Sequence, residues 1–324
     1  MRLLVTGGSS FIGRALIAHW CRRGHEVTAF QRRPVQGADG RLAHQVLGDI
    51  TDPQAVARAC AGQDRVVHLA ARVGVVGSWE QFLTTNVAGT RVLLRGARDA
   101  GVGGFVHVSS PSVAHSGSSI VGGPAAPADP GRTRGHYSTS KALAEQIALD
   151  ASSPQMPVVA IRPHLVWGPG DEQLVGRIVQ RARQGRLALV GSGLALIDTT
   201  YVDNAATALM AAADRVDGLG GRAFVVSNGQ PRTVQELVAR FLAAAGVAWT
   251  PRRVPLRMAV GAGALLERVW PSNSEPPLTR FVAEQLATAH WFDQRATRQA
   301  LDWTPHVSLE QGFAELGSWF RRGR

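Results

Sequence analysis

The sequence predicts an α/β fold: a doubly wound parallel sheet with a smaller, mostly helical, discontinuous C-terminal lobe. Three observations carry that expectation. Short β-branched runs alternate with helical stretches through the first half, the pattern of a parallel sheet covered on both faces. A glycine-rich turn closes the first run and opens an amphipathic helix. After Pro163 the alternation breaks, and from Thr233 onward the pattern is mostly helical.

In chain order, strands are expected at Leu3–Thr6, Glu26–Phe30, Gln45–Leu47, Val66–Leu69, Phe105–Val108 and Val158–Ile161. Between them fall helices at Phe11–Arg23, Pro53–Cys60, Glu80–Ala100 and Tyr137–Asp150. Gly24 and Gly101 stand where helices of that length stop. Ser116–Gly135, rich in Gly, Pro and Ala, reads as one long loop, the kind that forms lids and binding loops. Beyond Pro163, Trp167–Asp171 is a turn cluster and a helix follows near Gln173–Gln184. Asp203 and Asn204 are expected to cap a helix, and Ala223–Ser227 is expected to return to the first sheet.

With 45% hydrophobic and 18% charged residues, the 324-residue chain reads as globular. The net charge of +11 invites a nucleic-acid reading. The arginines, however, lie in singles and pairs such as Arg22-Arg23 and Arg252-Arg253, without interleaved aromatics, so no nucleic-acid partner is expected. Cys21 and Cys60 make no disulfide framework and suit a reducing cytoplasm, and Arg2–Thr6 does not resemble a signal peptide. The apolar stretch Met258–Val269 is too short to span a bilayer and reads as a buried helix, without stable membrane insertion. The ten histidines show no metal-ligand spacing, so no metal is expected.

The glycine turn is Gly7-Gly8-Ser9-Ser10-Phe11-Ile12-Gly13. Glycines there allow a tight strand-to-helix turn and a close backbone approach to a pyrophosphate, which the helix N-terminus attracts. The expected spacing is G-x-x-G-x-x-G, with Ser10 at the middle glycine position. Its side chain either narrows the approach or supplies a hydroxyl in place of a lost contact. The second strand ends in Gln31-Arg32-Arg33 with no acid from Val27 to Arg33. An acid there would bind a ribose 2′-hydroxyl, whereas arginine suits a 2′-phosphate, so NADP(H) is the expected cofactor. Asp49 and Ile50, after the third strand, are candidates for the adenine, and Leu69, Ala70 and Ala71, after the fourth, for backbone contact near a ribose. Residues 1–165, with about 201–228, form the expected nucleotide-binding domain; 166–200 and 229–324 form the expected substrate lobe.

Among 35 lysines and arginines, Lys141 is the sole lysine, four residues after Tyr137, one of two tyrosines. On a helix that spacing puts phenol and ammonium on one face. A compact ammonium, which arginine cannot imitate, is expected to lower the phenol's pKa and make Tyr137 a proton donor or acceptor.

The motifs Thr6–Gly13, Gly48-Asp-Ile50, His68-Leu-Ala-Ala71, Asn86-Val-Ala-Gly-Thr90, Ser109-Ser110, Tyr137-x-x-x-Lys141 and Arg162-Pro163 recur in an order that resembles the extended short-chain dehydrogenase/reductases. The segment Arg162–Asp171 is similar to the 3-beta-hydroxysteroid dehydrogenase branch. Ser227-Asn-Gly-Gln and Glu275–Leu286 resemble bacterial reductases of 2-alkyl-3-oxoalkanoic acids in long-chain olefin and β-lactone pathways. The resemblance implies a Rossmann-type fold and hydride transfer between NADP(H) and a hydrophobic keto or hydroxy acid. Tyr137 would then be proton donor, Lys141 would hold the nicotinamide ribose, and Ser110 would bind the carbonyl oxygen. Asn86 would be a structural bridge, and Pro163 and Leu165 would border the nicotinamide. It also implies a homodimer, in association with enzymes of the same pathway. Arg72 is the candidate for holding the substrate's carboxylate and His164 a further candidate for substrate contact, and Leu265, Leu266, Trp270, Phe281 and Trp291 supply apolar material for a cavity. Two alternatives stand beside this reading: a sterol or other hydrophobic alcohol as substrate, and a non-catalytic NADP-sensing protein.

Overall fold

Every strand expected in the first half forms, and all lie in one sheet. The computed structural model describes residues 1–34, 44–74, 76–115, 117–270 and 278–323. Among these, seven strands pair in parallel: β1 Arg2–Thr6, β2 Glu26–Gln31, β3 His44–Leu47, β4 Arg65–His68, β5 Phe105–Val108, β6 Val158–Pro163 and β7 Ala223–Val226. Their order, β7-β6-β5-β4-β1-β2-β3, reverses direction between β1 and β4. Ligands bind at such a switch point, outside the carboxyl ends of the strands. Register brings those ends level, with Thr6 beside both Phe30 and His68.

The sheet is buried on both faces because its strands are apolar at successive positions rather than alternate ones. Leu3 and Val5 pack with Trp20, Leu209 and Met210 on one face. Leu4 packs with Phe30, Leu93 and Phe105 on the other. Each fully buried side chain of this size contributes about 1.5–3 kcal/mol. A separate core forms around Trp167, whose ring stacks on Phe313 at 4.7 Å and meets Phe241 at 5.0 Å. It joins the helices Val175–Arg183, Val234–Ala244 and Leu309–Arg322.

One buried ion pair ties the sheet to a helix. Arg162, on β6, donates through Nε to Glu145 at 2.8 Å and through Nη2 to the other carboxylate oxygen. Arg162 also donates to the Ala126 carbonyl at 2.7 Å. Both ion-pair side chains are 1% exposed. Glu145 lies on the helix His136–Asp150, which carries Tyr137 and Lys141.

Five local expectations change. The helix predicted over Glu80–Ala100 is interrupted by a π-helical stretch at Leu83–Ala88, between Trp79–Phe82 and Gly89–Asp99. The predicted loop before Tyr137 contains a strand, Ile120–Gly123, which pairs with His290–Phe292; Ser116 lies outside the described residues. The helix after Trp167 starts at Val175, not Gln173, because the Asp171 carboxylate accepts from the backbone N–H groups of Gln173, Leu174 and Val175. Asp203 and Asn204 do not cap the helix Val202–Asp214. Instead Asp203 pairs with His19 at 2.7 Å, and Asn204 donates to Asn228 and to the Val307 carbonyl. Finally, Leu256–Val269 is a helix but not a buried one. Only Ala259 and Gly263 on it are buried, while Met258, Leu265 and Val269 are more than 60% exposed. Small residues let it lie against the turn at Thr279–Arg280, and its larger apolar side chains point away.

Removing one member of a buried ion pair strands the other charge. Glu145→Ala should therefore destabilise the protein by about 3–5 kcal/mol, read as a lower urea midpoint, and Arg162→Met in the same chain should recover part of that loss.

Candidate active site

The glycine turn is built as a cradle. Gly7 has φ +71°, and a Cβ there would sit 2.8 Å from the Ala70 nitrogen. A Cβ at Gly13 would sit 2.5 Å from the Gly7 carbonyl oxygen. Ser10 turns its hydroxyl inward as the helix N-cap, accepting from Gly13 N at 3.1 Å. The hydroxyl therefore serves the start of the helix, a role outside the two expected for it.

Neighbouring loops close around this turn. His68, fully buried, bridges Thr6 Oγ1 at 2.8 Å and Thr90 Oγ1 at 2.9 Å. Thr90 gives its own proton to the Asn86 carbonyl at 2.6 Å, so His68 donates to Thr90 from Nε2 and accepts from Thr6 at Nδ1. Burial and the nearby Lys141 push His68 down to about 3, which keeps it neutral. Leu69 and Ala70 are thereby held against Thr6, their N–H groups bonded to its carbonyl and hydroxyl, and Ala71 continues that turn. Arg32 and Arg33 are exposed just past β2. The Asp49 carboxyl, which accepts from Thr51 N and Oγ1, is lowered chiefly by those bonds and in lesser part by Arg32. Ile50 packs its side chain into the core beside Phe30 and Gly89. Ser9, Phe11 and Ile12 complete the turn and first helical residues. A glycine cradle at a helix N-terminus, with arginines at the end of β2, fits a dinucleotide with its pyrophosphate on the turn.

At the carboxyl ends of β5 and β6 lies a cavity of about 190 Å³, lined by Ser110, Tyr137, Pro163, His164 and Leu165 and, from later in the chain, by Phe281, His290 and Phe292. A larger groove of about 440 Å³, bordered by Pro53, Arg91 and Arg95, contains none of the predicted site residues. Leu165 has φ +41°, a strained conformation for a leucine, and it is held where β6 ends at the cavity. Ser110 caps the short 3₁₀ turn Pro111–Ala114, sharing a bond with Ser112 Oγ at 2.9 Å. It also lines the cavity with Tyr137, where its hydroxyl favours the phenolate and so opposes the rise in the Tyr137 pKa. Ser109 is buried, and its hydroxyl has no partner among the described residues.

Electrostatics corrects one expectation. Lys141 does not lower the Tyr137 pKa here; burial raises it, and only the Ser110 bond opposes. Lys141 is 3% exposed and donates to the Val108 carbonyl at 2.6 Å. Burial brings its own pKa down to about 8, although Glu145 opposes that shift. Desolvation penalises the charged form of each.

Asn86, buried in the π-helical stretch, accepts from Arg72 N at 2.7 Å and donates to the Arg72 carbonyl and to Ser140 Oγ. It therefore bridges the β4 loop to the Tyr137 helix. Arg72 turns away from the cavity: its Nη2 donates to the Val76 carbonyl at 3.1 Å, and its guanidinium lies over the Phe82 ring. Of the apolar candidates, Phe281 lines the cavity, whereas Leu265 and Trp270 are exposed, and Trp291 stands beside Gly122. The candidate His164 lines the cavity, together with His115, Gln285 and His290. No spacing in the chain joins residues so far apart.

The parallel sheet, the glycine cradle and the serine, tyrosine and lysine gathered at the strand ends define a nucleotide-dependent enzyme of the short-chain dehydrogenase/reductase type. Residues 3–227 match the NAD dependent epimerase/dehydratase family, and the chain belongs to it. It is 42% identical to the 2-alkyl-3-oxoalkanoate reductase of Stenotrophomonas maltophilia (strain K279a), with 98% of each chain covered. It is 35% identical to the protein of the same name from Shewanella oneidensis, over 96% of this chain and 84% of that one. It is 31% identical to a 3-beta-hydroxysteroid dehydrogenase of Mycolicibacterium neoaurum, over 97% and 90%. Among solved structures, MoeE5 in complex with UDP-glucuronic acid and NAD superposes with a TM-score of 0.76 at 25% identity over the whole of both chains. The chain is an oxidoreductase acting on a CH–OH or C=O group. No helix of the described residues is long and apolar enough to cross a membrane.

Gly7→Ala adds both φ strain and a backbone clash at the cradle and should weaken dinucleotide affinity about tenfold or more in calorimetric titration. Gly24 has φ +78° with nothing near its missing Cβ. Gly24→Ala should carry the strain alone and leave that affinity unchanged.

Proposed function

We propose that this protein is an NADP(H)-dependent ketoreductase that interconverts a 2-alkyl-3-oxoalkanoic acid and its 3-hydroxy acid. The observation that carries the reading is the cavity lined by Ser110 and Tyr137 together with the apolar side chains of Pro163, Leu165, Phe281 and Phe292. The names of the two reductase relatives supply the substrate class, and Arg32 and Arg33 favour the 2′-phosphorylated cofactor.

NADPH, when bound, supplies the hydride. Gly7, Ser9 and Gly13 would hold its pyrophosphate, Lys141 its nicotinamide ribose, and Pro163 and Leu165 would border the ring. Ser110 donates to the carbonyl oxygen as negative charge develops there. Tyr137 gives its proton to the same oxygen, and its raised pKa keeps that proton in place through neutral pH. At about 190 Å³ the cavity is smaller than ordinary ligand pockets of about 300–1,000 Å³, which suits a reacting head group rather than a whole lipid. That size speaks against a sterol seated entirely inside, and the intact Ser110–Tyr137–Lys141 set speaks against a non-catalytic sensor.

Following NADPH absorbance with a racemic 2-alkyl-3-oxoalkanoic acid tests the reading. Wild-type protein should oxidise NADPH, and Tyr137→Phe should lower kcat about a hundredfold or more. Oxidation with a 3-oxosteroid but not with the acid would overturn the substrate assignment. Exchanging Arg32 and Arg33 together for alanine should raise KM for NADPH about tenfold and leave KM for NADH nearly unchanged. A parallel rise for both cofactors would overturn the 2′-phosphate contact.

A further inference from the structure

Three histidines line the cavity with Tyr137: His115, His164 and His290, each at most 5% exposed. Their hydrogen bonds fix where the protons lie. His290 Nε2 meets the Gln285 carbonyl at 3.1 Å, and a carbonyl only accepts, so Nε2 carries the proton. Nδ1 of neutral His290 is then a lone pair, and the 3.0 Å contact must be His164 Nε2–H donating to it. His164 Nδ1 is left as an acceptor with no partner among the described residues. His115 Nδ1 accepts from Gly117 N at 3.2 Å, so its proton is on Nε2, a donor likewise without a partner among them.

Two buried polar atoms of opposite kind, beside the reacting groups, are costly unless a ligand meets them. As they stand, one donates and one accepts. A single added proton changes this. Placed on His290 Nδ1, it lets His290 donate both to Gln285 and to His164 Nε2. The His164 proton then sits on Nδ1, and both orphan atoms become donors. The site then holds two N–H groups and one positive charge, the complement of a carboxylate.

We propose that His115 and His164, relayed by His290, form the subsite for the substrate's carboxylate, and that the anion enters together with one proton taken up by the His164–His290 pair. This rests on the 3-oxo acid reading above and replaces Arg72 as the acid-binding group. The remaining charged groups near the cluster are Arg134 and Glu284, which act on His115 with opposite sign and pair with each other. Their charges offset, so the carboxylate's charge falls to the histidines. Tyr137 shares the cavity but stays neutral through the relevant pH range. In the free protein burial holds all three imidazoles neutral, His290 at about 4 and His164 and His115 below the usual histidine range.

The test compares a 2-alkyl-3-oxoalkanoic acid with its methyl ester, which cannot bring an anion. The acid-to-ester ratio of kcat/KM should fall up to about tenfold per pH unit between about pH 5 and pH 8, because the protonated pair grows scarcer by that factor. A ratio independent of pH overturns the proton uptake. His115→Phe keeps the ring's bulk and removes the donor; it should raise KM for the acid about tenfold or more and leave kcat/KM for the ester within about twofold. Ester turnover reports that the variant is folded, and equal losses on acid and ester overturn the subsite. If wild-type protein reduces neither compound, the ketoreductase reading itself fails. If it reduces both while the ratio stays flat and the variant behaves alike on each, only the histidine subsite fails.

Discussion

The buried pair between Glu145 and Arg162 sets the position of everything at the site. Arg162 is two-pronged, and both prongs are spent on one carboxylate, so the helix His136–Asp150 can neither slide nor rotate against β6 without breaking them. The third arm of the guanidinium holds Ala126, fixing the loop that leads toward the helix of Tyr137. One residue beyond Arg162 begins the cavity wall, Pro163, His164 and Leu165. Two helical turns before Glu145 stands Tyr137. A single desolvated ion pair therefore relates Tyr137 to the cavity wall beside it. The geometry has to be good, because an ion pair buried this deeply recovers its desolvation cost only when its hydrogen bonds are satisfied.

A second set of bonds performs the same service for the cofactor edge. His68 joins Thr6 to Thr90, Thr90 joins His68 to Asn86, and Asn86 joins the Arg72 backbone to Ser140 on the helix His136–Asp150. This chain runs from the glycine turn to the helix of Tyr137. The π-helical stretch at Leu83–Ala88 belongs to it, since it surrounds the asparagine whose side chain and carbonyl both take part. Such stretches are uncommon and gather at functional sites.

What could be read from the chain follows the range of the physics involved. The six strands of the first half and the helices between them were legible because apolar runs, turn glycines and strand lengths are local signals. The cradle and the Tyr137–Lys141 helix were legible for the same reason. His290–Phe292 was not, because a three-residue strand is defined by its pairing with Ile120–Gly123, far away in sequence. Met258–Val269 misled in the other direction: composition says how apolar a helix is, not whether a neighbour covers it. His115, His164 and His290 are separate in the chain and become a cluster only when β6, the turn after Ser110 and the C-terminal lobe meet. The Tyr137 pKa failed for a related reason. Spacing revealed the neighbouring charge, and only the fold reveals that burial sets the direction of the shift.

Burial is also what biases the proposed chemistry. At neutral pH the phenol of Tyr137 is protonated, since desolvation raises its pKa and the Ser110 bond offsets only part of that. A protonated phenol is ready to donate to the alkoxide formed by hydride addition, a far stronger base than phenolate. For the reverse oxidation, Tyr137 would first have to give up a proton that its surroundings hold. Lys141 could ease that loss with its charge, but its ammonium is held on the Val108 carbonyl, and burial brings its pKa down to about 8. The same desolvation that strips charge from the histidines thus leaves the donor loaded. In the proposed reaction, reduction needs no prior loss of the Tyr137 proton, whereas the reverse oxidation does.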